Sequence, residues 1–314
     1  MSDLSSLATA IHRNINTVVL GKNDSIILAL ATFLCGGHLL IEDAPGLGKT
    51  LLAKAFSRTF DLDYKRVQCT PDLLPADITG VSIYNPKEGE FRFMPGPVFA
   101  NILLADEINR ATPRAQSALL ECMAEAQVSV DGITHTLDQP FMVIATQNPV
   151  EFTGTHPLPE AQLDSFFMRI SMGYPDEDSE LEMMRSHQFA EPIKQLRSIT
   201  SKEQILQLKA SVQQLAVDDK VMKYIAAIVR ATREFDGVEL GASPRGSMSL
   251  MKASQAAALL TGQEFVTPQM VKKMAVPVLA HRLVLAHRSR LGGSSAEAII
   301  RAVLNQVETP VGVG

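Results

Sequence analysis

Apolar residues recur at helical spacing over residues 4–20 and again over 24–35. They predict two helices separated by Leu20-Gly21-Lys22-Asn23-Asp24, where Gly21 reads as a helix stop and Asp24 as an N-cap. From there short apolar runs alternate with helical stretches: His38 to Glu42, Tyr64 to Thr70, Asn101 to Asp106, Phe141 to Asn148 and Arg169 to Tyr174. Alternation of this kind predicts a largely parallel sheet with helices on both faces. Two pieces interrupt it. Val81 to Tyr84 and Glu90 to Met94 flank the turn-rich Asn85-Pro86-Lys87-Glu88-Gly89, and Val128 to Val130 and Ile133 to Leu137 flank Asp131-Gly132. Both read as β-hairpins, the second through its Asp-Gly turn. After Tyr174-Pro175 the strand-like runs stop, and residues 176–305 read as helices broken at Pro192, Pro244, Pro268 and Pro277. The acidic run Asp176 to Glu180 is a solvated helix start in this reading, because acids suit a first turn. The expected fold is an α/β domain over residues 1–180, with a central parallel sheet flanked by helices and two β-hairpin insertions. A small all-helical domain follows over 181–314.

Composition changes this picture little and narrows the function. A chain of 314 residues suits two domains, and 46% hydrophobic with 20% charged residues is ordinary for a soluble globular protein. The net charge of −5 gives no general reason to bind nucleic acid, which needs a concentrated cationic surplus. Cys35, Cys69 and Cys122 form no CxxC pair, so neither a disulfide framework nor a zinc site is expected. No signal peptide and no apolar run long enough to span a bilayer are read at the sequence level, so a cytoplasmic protein without membrane insertion is expected.

The chemistry lies where strands end. Asp43-Ala44-Pro45-Gly46-Leu47-Gly48-Lys49-Thr50 sits between an apolar strand and the helical run opening at Leu51. A phosphate-binding loop needs this context: glycine turns aim N–H groups at phosphates, and the helix N-terminus adds positive potential. Lys49 would reach the β/γ-phosphates, and Thr50 would offer Mg²⁺ a hard hydroxyl oxygen. Asp43 stands where the usual pattern has its first glycine. The strand Ile102 to Ala105 ends in Asp106-Glu107. Asp106 would hold Mg²⁺ through water, and Glu107 would polarise the attacking water as general base. A third strand ends at Asn148, which either orients that water or, standing before Pro149, starts a turn.

These elements resemble Walker A, Walker B and sensor 1 of AAA+ ATPases. The chain is most similar to the MoxR family in Glu42 to Thr50, Ala105-Asp106-Glu107-Ile108-Asn109-Arg110-Ala111-Thr112-Pro113-Arg114-Ala115-Gln116, Ala145 to Pro149, and Leu158-Pro159-Glu160-Ala161-Gln162-Leu163-Asp164. The resemblance covers most of the chain. It implies an AAA+ P-loop domain followed by a helical lid. The hairpin at 81–94 is then the insert in helix 2 and that at 128–137 the hairpin before sensor 1, features of the branch holding MoxR proteins, magnesium chelatase and the MCM helicases. Gly241-Ala242-Ser243-Pro244-Arg245 resembles sensor 2, which implies that Arg245 meets the γ-phosphate; read alone, it is a surface arginine after a Pro turn. Leu20-Gly21 resembles the segment that packs on adenine.

One departure bears on mechanism. Where MoxR relatives have Asp-Arg-Phe, this chain reads Asp164-Ser165-Phe166, and serine cannot supply the arginine-finger cation. Either the finger comes from Arg169, Arg110 or Arg114, or hydrolysis is slow. The resemblance implies a homo-oligomer, a hexamer, using ATP and Mg²⁺ to remodel or mature a protein client, with a von Willebrand factor A domain protein as partner. Two alternatives are a nucleic-acid motor of the MCM-like branch and an ATP-binding switch with little hydrolysis. The first is disfavoured by hairpin tips holding Lys87, Glu88 and Asp131, although Lys272, Lys273, Arg282, Arg288, Arg290 and Arg301 stand against only Glu297 in residues 269–301.

Overall fold

A computed structural model describes residues 2–149, 154–188 and 191–312. Met1, 150–153, 189–190 and 313–314, which fall within the two expected domain ranges, lie outside the described residues. Helices α1 (Ser2–Asn16) and α2 (Asn23–Leu34) precede β1 (Leu39–Glu42) and α3 (Lys49–Phe60). Next come β2 (Tyr64–Gln68), α4 (Pro75–Thr79), the hairpin β3 (Gly80–Asn85) with β4 (Glu90–Pro95), and β5 (Ile102–Asp106). Helix α5 (Pro113–Glu125), the hairpin β6 (Gln127–Val130) with β7 (Ile133–Thr136), β8 (Met142–Gln147), α6 (Glu160–Leu163) and β9 (Met168–Ile170) complete this part.

The five-stranded sheet has the order β2-β5-β8-β1-β9, and all its pairings are parallel. The inner strands β5 and β8 are buried on both faces until their last residue, as helix-covered strands must be. One face packs on α1 to α3, where Phe33, Phe56 and Phe60 bring ring centroids within 4.8 to 6.1 Å of one another. Asp131 and Gly132 both take positive φ in the tight turn between β6 and β7. The two hairpins meet where Phe93 stacks on His135 at 4.1 Å.

Five expectations are corrected here. Helix α1 ends at Asn16, four residues before the expected end at Leu20, and Thr17 caps back onto the Asn14 carbonyl at 2.6 Å. The N-cap of α2 is Lys22; Asp24 lies in the first turn and pairs with Lys273 at 2.7 Å. Strand β9 stops at Ile170, because Ser171, Met172 and Gly173 donate instead to the Asp43 carboxylate. Strand structure does not end at Tyr174, since Val238–Leu240 and Val284–Leu285 form a short antiparallel pair. Finally, Pro277 does not break its helix.

The second part comprises α7 (Glu177–His187), α8 (Pro192–Gln195), α9 (Lys202–Gln214), α10 (Asp219–Glu234), β10 (Val238–Leu240), α11 (Pro244–Leu260), α12 (Pro268–Leu279), β11 (Val284–Leu285), α13 (His287–Leu291) and α14 (Ala296–Gln306). The acidic run opens α7, with Asp176 as N-cap accepting from the Ser179 N–H at 2.8 Å. Residues 180 and 181, the expected domain junction, are both inside α7. Pro192, Pro244 and Pro268 each occupy a first-turn position, where no N–H is needed. Pro277 falls in the last turn of α12, which tightens directly into a 3₁₀ turn at Ala280–Arg282. Arg282 locks this part to the sheet domain. Its buried guanidinium donates to Asp164 Oδ1 at 2.7 Å and to the carbonyls of Phe166 at 2.9 Å and Phe167 at 3.3 Å.

His38, buried where the chain enters β1, is fixed by its neighbours. Its Nδ1 accepts from the Val143 N–H at 2.9 Å, so Nε2 carries the proton and donates to the Met123 carbonyl at 3.0 Å. Burial pulls its pKa down from 6.5 to about 4. The unfolded chain therefore binds this proton more readily, and the linked stability is complete above pH 6.5 and lost as pH falls toward 4. Denaturant titrations should show about 3 kcal/mol of acid destabilisation from this group between pH 7 and pH 4. His38→Gln should flatten that part of the profile; an unaltered pH profile would rule His38 out as its source.

Candidate functional site

Strand β1 ends at Glu42, and the chain turns through Asp43 to Gly48 into α3. Gly46 and Gly48 take φ of 85° and 88°, a region that side chains strain to reach. For both, a Cβ would meet nothing closer than 3.9 Å, so the backbone turn itself demands glycine. Lys49 opens α3 with its side chain largely buried and its ammonium donating to the Asp43 carbonyl at 2.7 Å. Burial lowers its pKa, opposed by Asp43, Asp106 and Glu107, so the cation faces three carboxylates.

Asp106 and Glu107 leave the end of β5. Asp106 Oδ1 accepts from the fully buried Thr146 hydroxyl at 2.6 Å, and its Oδ2 meets Arg66 at 2.6 Å. Glu107 adopts a left-handed φ of 58°. Its N–H donates to the same Thr146 oxygen at 2.9 Å, and its carboxylate accepts from Gln68 at 3.1 Å and Arg110 at 3.0 Å. One hydroxyl of β8 thus holds both the Asp106 carboxylate and the Glu107 backbone. Beyond them the buried Gln116 donates to the carbonyls of Ile108, Ala111 and His156, pinning the loop that follows Glu107. Asn148, largely buried, completes the floor just past β8.

Pro45, Gly46, Gly48, Lys49, Thr50, Leu51, Arg66, Gln68, Asp106, Glu107 and Asn148 line a single cleft of about 450 Å³. Asp43 lies beneath it, and Leu47 lines an adjoining apolar cleft of about 260 Å³ with Val18, Val19, Leu20, Tyr174, Pro175 and Met183. The two clefts share Pro45, Gly46, Gly48 and Leu51. Ala44 is a half-buried member of the same loop. Leu20 faces the apolar cleft, whereas Gly21 does not line it. A Cβ there would lie 2.5 Å from the Ser179 hydroxyl, so Gly21 admits the start of α7. The hydroxyl of Thr50 and the carboxylate of Asp106 are hard oxygen donors of the kind Mg²⁺ takes, with the remaining positions left to water and phosphate.

The structure does not bring Arg245 into this cleft. Gly241 has the Arg233 backbone 2.6 Å from where a Cβ would stand, which turns the chain into α11. Arg245 then projects beside Asp164 at 3.8 Å, in a groove with Ser165, Gly37 and His38. That groove lies at the N-terminal edge of β1 and β9, opposite the phosphate loop. Three other arginines are candidates for the finger. Arg169 bridges Glu42 at 3.3 Å and Glu297; Arg110 holds Glu107; Arg114 is exposed on the first turn of α5. Sequence reasoning missed Arg66, Gln68 and Thr146. Their signal was weak: two alternate polar positions on an edge strand, and a hydroxyl inside an apolar run.

Open parallel sheets bind ligands beyond the carboxyl ends of their strands, and here three neighbouring strand ends supply a phosphate loop, an acid pair and an amide, with a helical domain locked alongside. This is the arrangement of the AAA+ class of P-loop ATPases. Residues 38–168 match the ATPase family associated with various cellular activities (AAA), and residues 230–303 match an AAA lid domain. The chain is 48% identical over 309 residues to an uncharacterized Bacillus subtilis protein, YeaC, covering 98% of this chain and 97% of that one. It is 39% identical over 305 residues to Chaperone MoxR1 of Mycobacterium tuberculosis, covering 94% and 80% of the two chains. A crystal structure from Cytophaga hutchinsonii superposes with a TM-score of 0.91 at 39% identity over 98% of both chains. The chain belongs to the MoxR family of AAA+ ATPases.

Proposed function

We propose that the chain binds Mg²⁺-ATP in the Lys49–Asp106 cleft and hydrolyses it within a cytoplasmic homo-oligomer, a hexamer, to remodel or mature a protein client. The convergence of Lys49, Thr50, Asp106, Glu107 and Asn148 on one cleft carries this reading. Lys49 neutralises the β/γ-phosphates, and the loop N–H groups and α3 N-terminus add to it. Thr50 directly and Asp106 through water would hold the metal, which would draw charge off the phosphate oxygens. Glu107 takes the proton of the attacking water, Thr146 keeps its backbone in register, and Asn148 orients the water. The base lies in the apolar cleft against Leu20, with Gly21 shaping the turn behind it. The client role is supported by the kinship with Chaperone MoxR1, and a von Willebrand factor A domain protein is the proposed partner. No described helix is long and apolar enough to cross a membrane.

Two of the lid cations are already engaged within the chain, Lys273 by Asp24 and Arg282, buried, by Asp164, which counts against a DNA-gripping role. Ser165 and Arg245 share a groove away from the cleft of their own chain, which supports a site completed across a subunit interface. Arg245 then serves the neighbour's γ-phosphate while Ser165 leaves the finger position without a cation. A trans arginine contributes roughly 10³ to 10⁵ in rate. Ser165→Arg should therefore raise steady-state turnover by at least about tenfold, a fraction of that range because no surrounding contacts are in place to orient the new side chain. The gain should disappear at dilutions that leave monomers. Unchanged turnover in the assembled protein would move the finger elsewhere, and Arg245→Ala would then be the next variant to measure.

A further inference from the structure

Asp43 occupies the position of the phosphate loop where a glycine is usual, and its carboxylate is buried in a site built for anions. Repulsion of phosphate by a desolvated carboxylate is a cost, so the contacts it makes are informative. Oδ1 accepts from the Ser171 hydroxyl at 2.7 Å and the Gly173 N–H at 3.3 Å, and Oδ2 accepts from the Met172 N–H. The Asp43 N–H is spent on the Gln147 carbonyl at 3.1 Å, and its carbonyl on Lys49. A second strap reaches the same segment: the Lys22 ammonium donates to the Gly173 carbonyl at 2.8 Å. Burial lowers the Lys22 pKa, and Asp43 and Asp176 oppose that.

What hangs from residues 171–173 is one wall of the apolar cleft. Tyr174 and Pro175 follow immediately, and α7 brings Met183 to the same wall. The facing wall is the phosphate loop itself, Pro45 to Gly48, with Leu51. The Asp43 carboxylate thus ties the two walls together beyond the last β1–β9 register pair, Ile41 with Ile170, and a glycine at this position would remove that tie. We propose that Asp43 is a positioning residue for nucleoside recognition: it fixes the Tyr174-Pro175 wall against the phosphate loop, so that the chain favours a nucleotide carrying a base over bare polyphosphate. The proposal rests on the ATP-binding reading above.

The test compares ATP with inorganic tripolyphosphate, each titrated calorimetrically in Mg²⁺ buffer into wild type, Asp43→Gly, Asp43→Asn and Ser171→Ala. Losing hydrogen bonds to a charged acceptor should raise the Kd for ATP about tenfold in Asp43→Gly. The Kd for tripolyphosphate should stay within about threefold or tighten, because a buried negative charge has left the anion site. Asp43→Asn keeps one acceptor oxygen and should fall between. Ser171→Ala removes a single donor without touching the loop, and should weaken ATP alone by about twofold. Equal weakening of both ligands, or no change in their ratio, would make Asp43 a residue of the fold only and overturn the proposal. Should Asp43→Gly not fold, an unchanged ratio in the other two variants overturns it equally. Failure of the wild type to bind either ligand would instead sink the ATP reading beneath it.

Discussion

Replacing Lys49 with alanine should abolish tight ATP binding. Its ammonium lies within the electrostatic reach of three carboxylates, those of Asp43, Asp106 and Glu107, and it lines the cleft while donating to the Asp43 carbonyl of its own loop. Without it, incoming phosphates meet an excess of negative charge in a partly desolvated cleft, where charges interact more strongly than in bulk water. Charge-assisted hydrogen bonds to phosphate are lost at the same time. A loss of at least about a hundredfold in affinity follows from two such bonds, at roughly 1.5–3 kcal/mol each. The fold should survive, because the methylene stem and one local hydrogen bond are all that the variant removes from the free protein. A fluorescent-nucleotide titration checks this, and affinity within a few-fold of wild type would defeat the phosphate-loop assignment.

Glu107→Gln should separate binding from chemistry. The amide keeps the shape of the side chain and an oxygen able to accept from Gln68 or Arg110, the two donors that hold the carboxylate now. The backbone N–H bond to Thr146 and the left-handed φ are untouched. An amide cannot take a proton from water, so the general-base contribution of about 10² to 10⁴ should vanish. Hydrolysis should fall by that factor while the Kd for ATP stays within a few-fold. Turnover surviving at a few-fold below wild type would show that another group takes the proton.

Much of this site is legible in the amino-acid sequence, for identifiable physical reasons. Gly46 and Gly48 are required by backbone dihedrals alone, so their spacing between an apolar strand and a helix carries the loop directly. Asp106-Glu107 and Asn148 end near-continuous apolar runs, which is how strands covered on both faces appear. Arg66 and Gln68 are hidden because β2 is an edge strand, where alternate polar residues read as a solvated face. Thr146 is hidden because its hydroxyl acts from inside the apolar run of β8. The true end of β9 depends on Asp43, from the other end of the domain sequence, capturing the next three residues. Arg245 is legible as a motif and illegible as a place: the seating of the helical domain rests on a core shared with the sheet domain and on Arg282 meeting Asp164 and the Phe166 and Phe167 carbonyls, contacts between distant parts of the chain that no local periodicity encodes. The start of α7 is the converse case, since Asp176 and the acids after it act within a single turn.

Whether this cleft hydrolyses ATP through Glu107, with a metal held at Thr50 and Asp106, is decided by single-turnover conversion of radiolabelled ATP with assembled protein in excess over nucleotide. ADP and phosphate should form in the presence of Mg²⁺, EDTA should stop their formation, and Glu107→Gln should hold the bound ATP intact. Wild-type protein that binds ATP and leaves it whole over many minutes with Mg²⁺ present would contradict hydrolysis at this site, and would make the chain a nucleotide-binding switch.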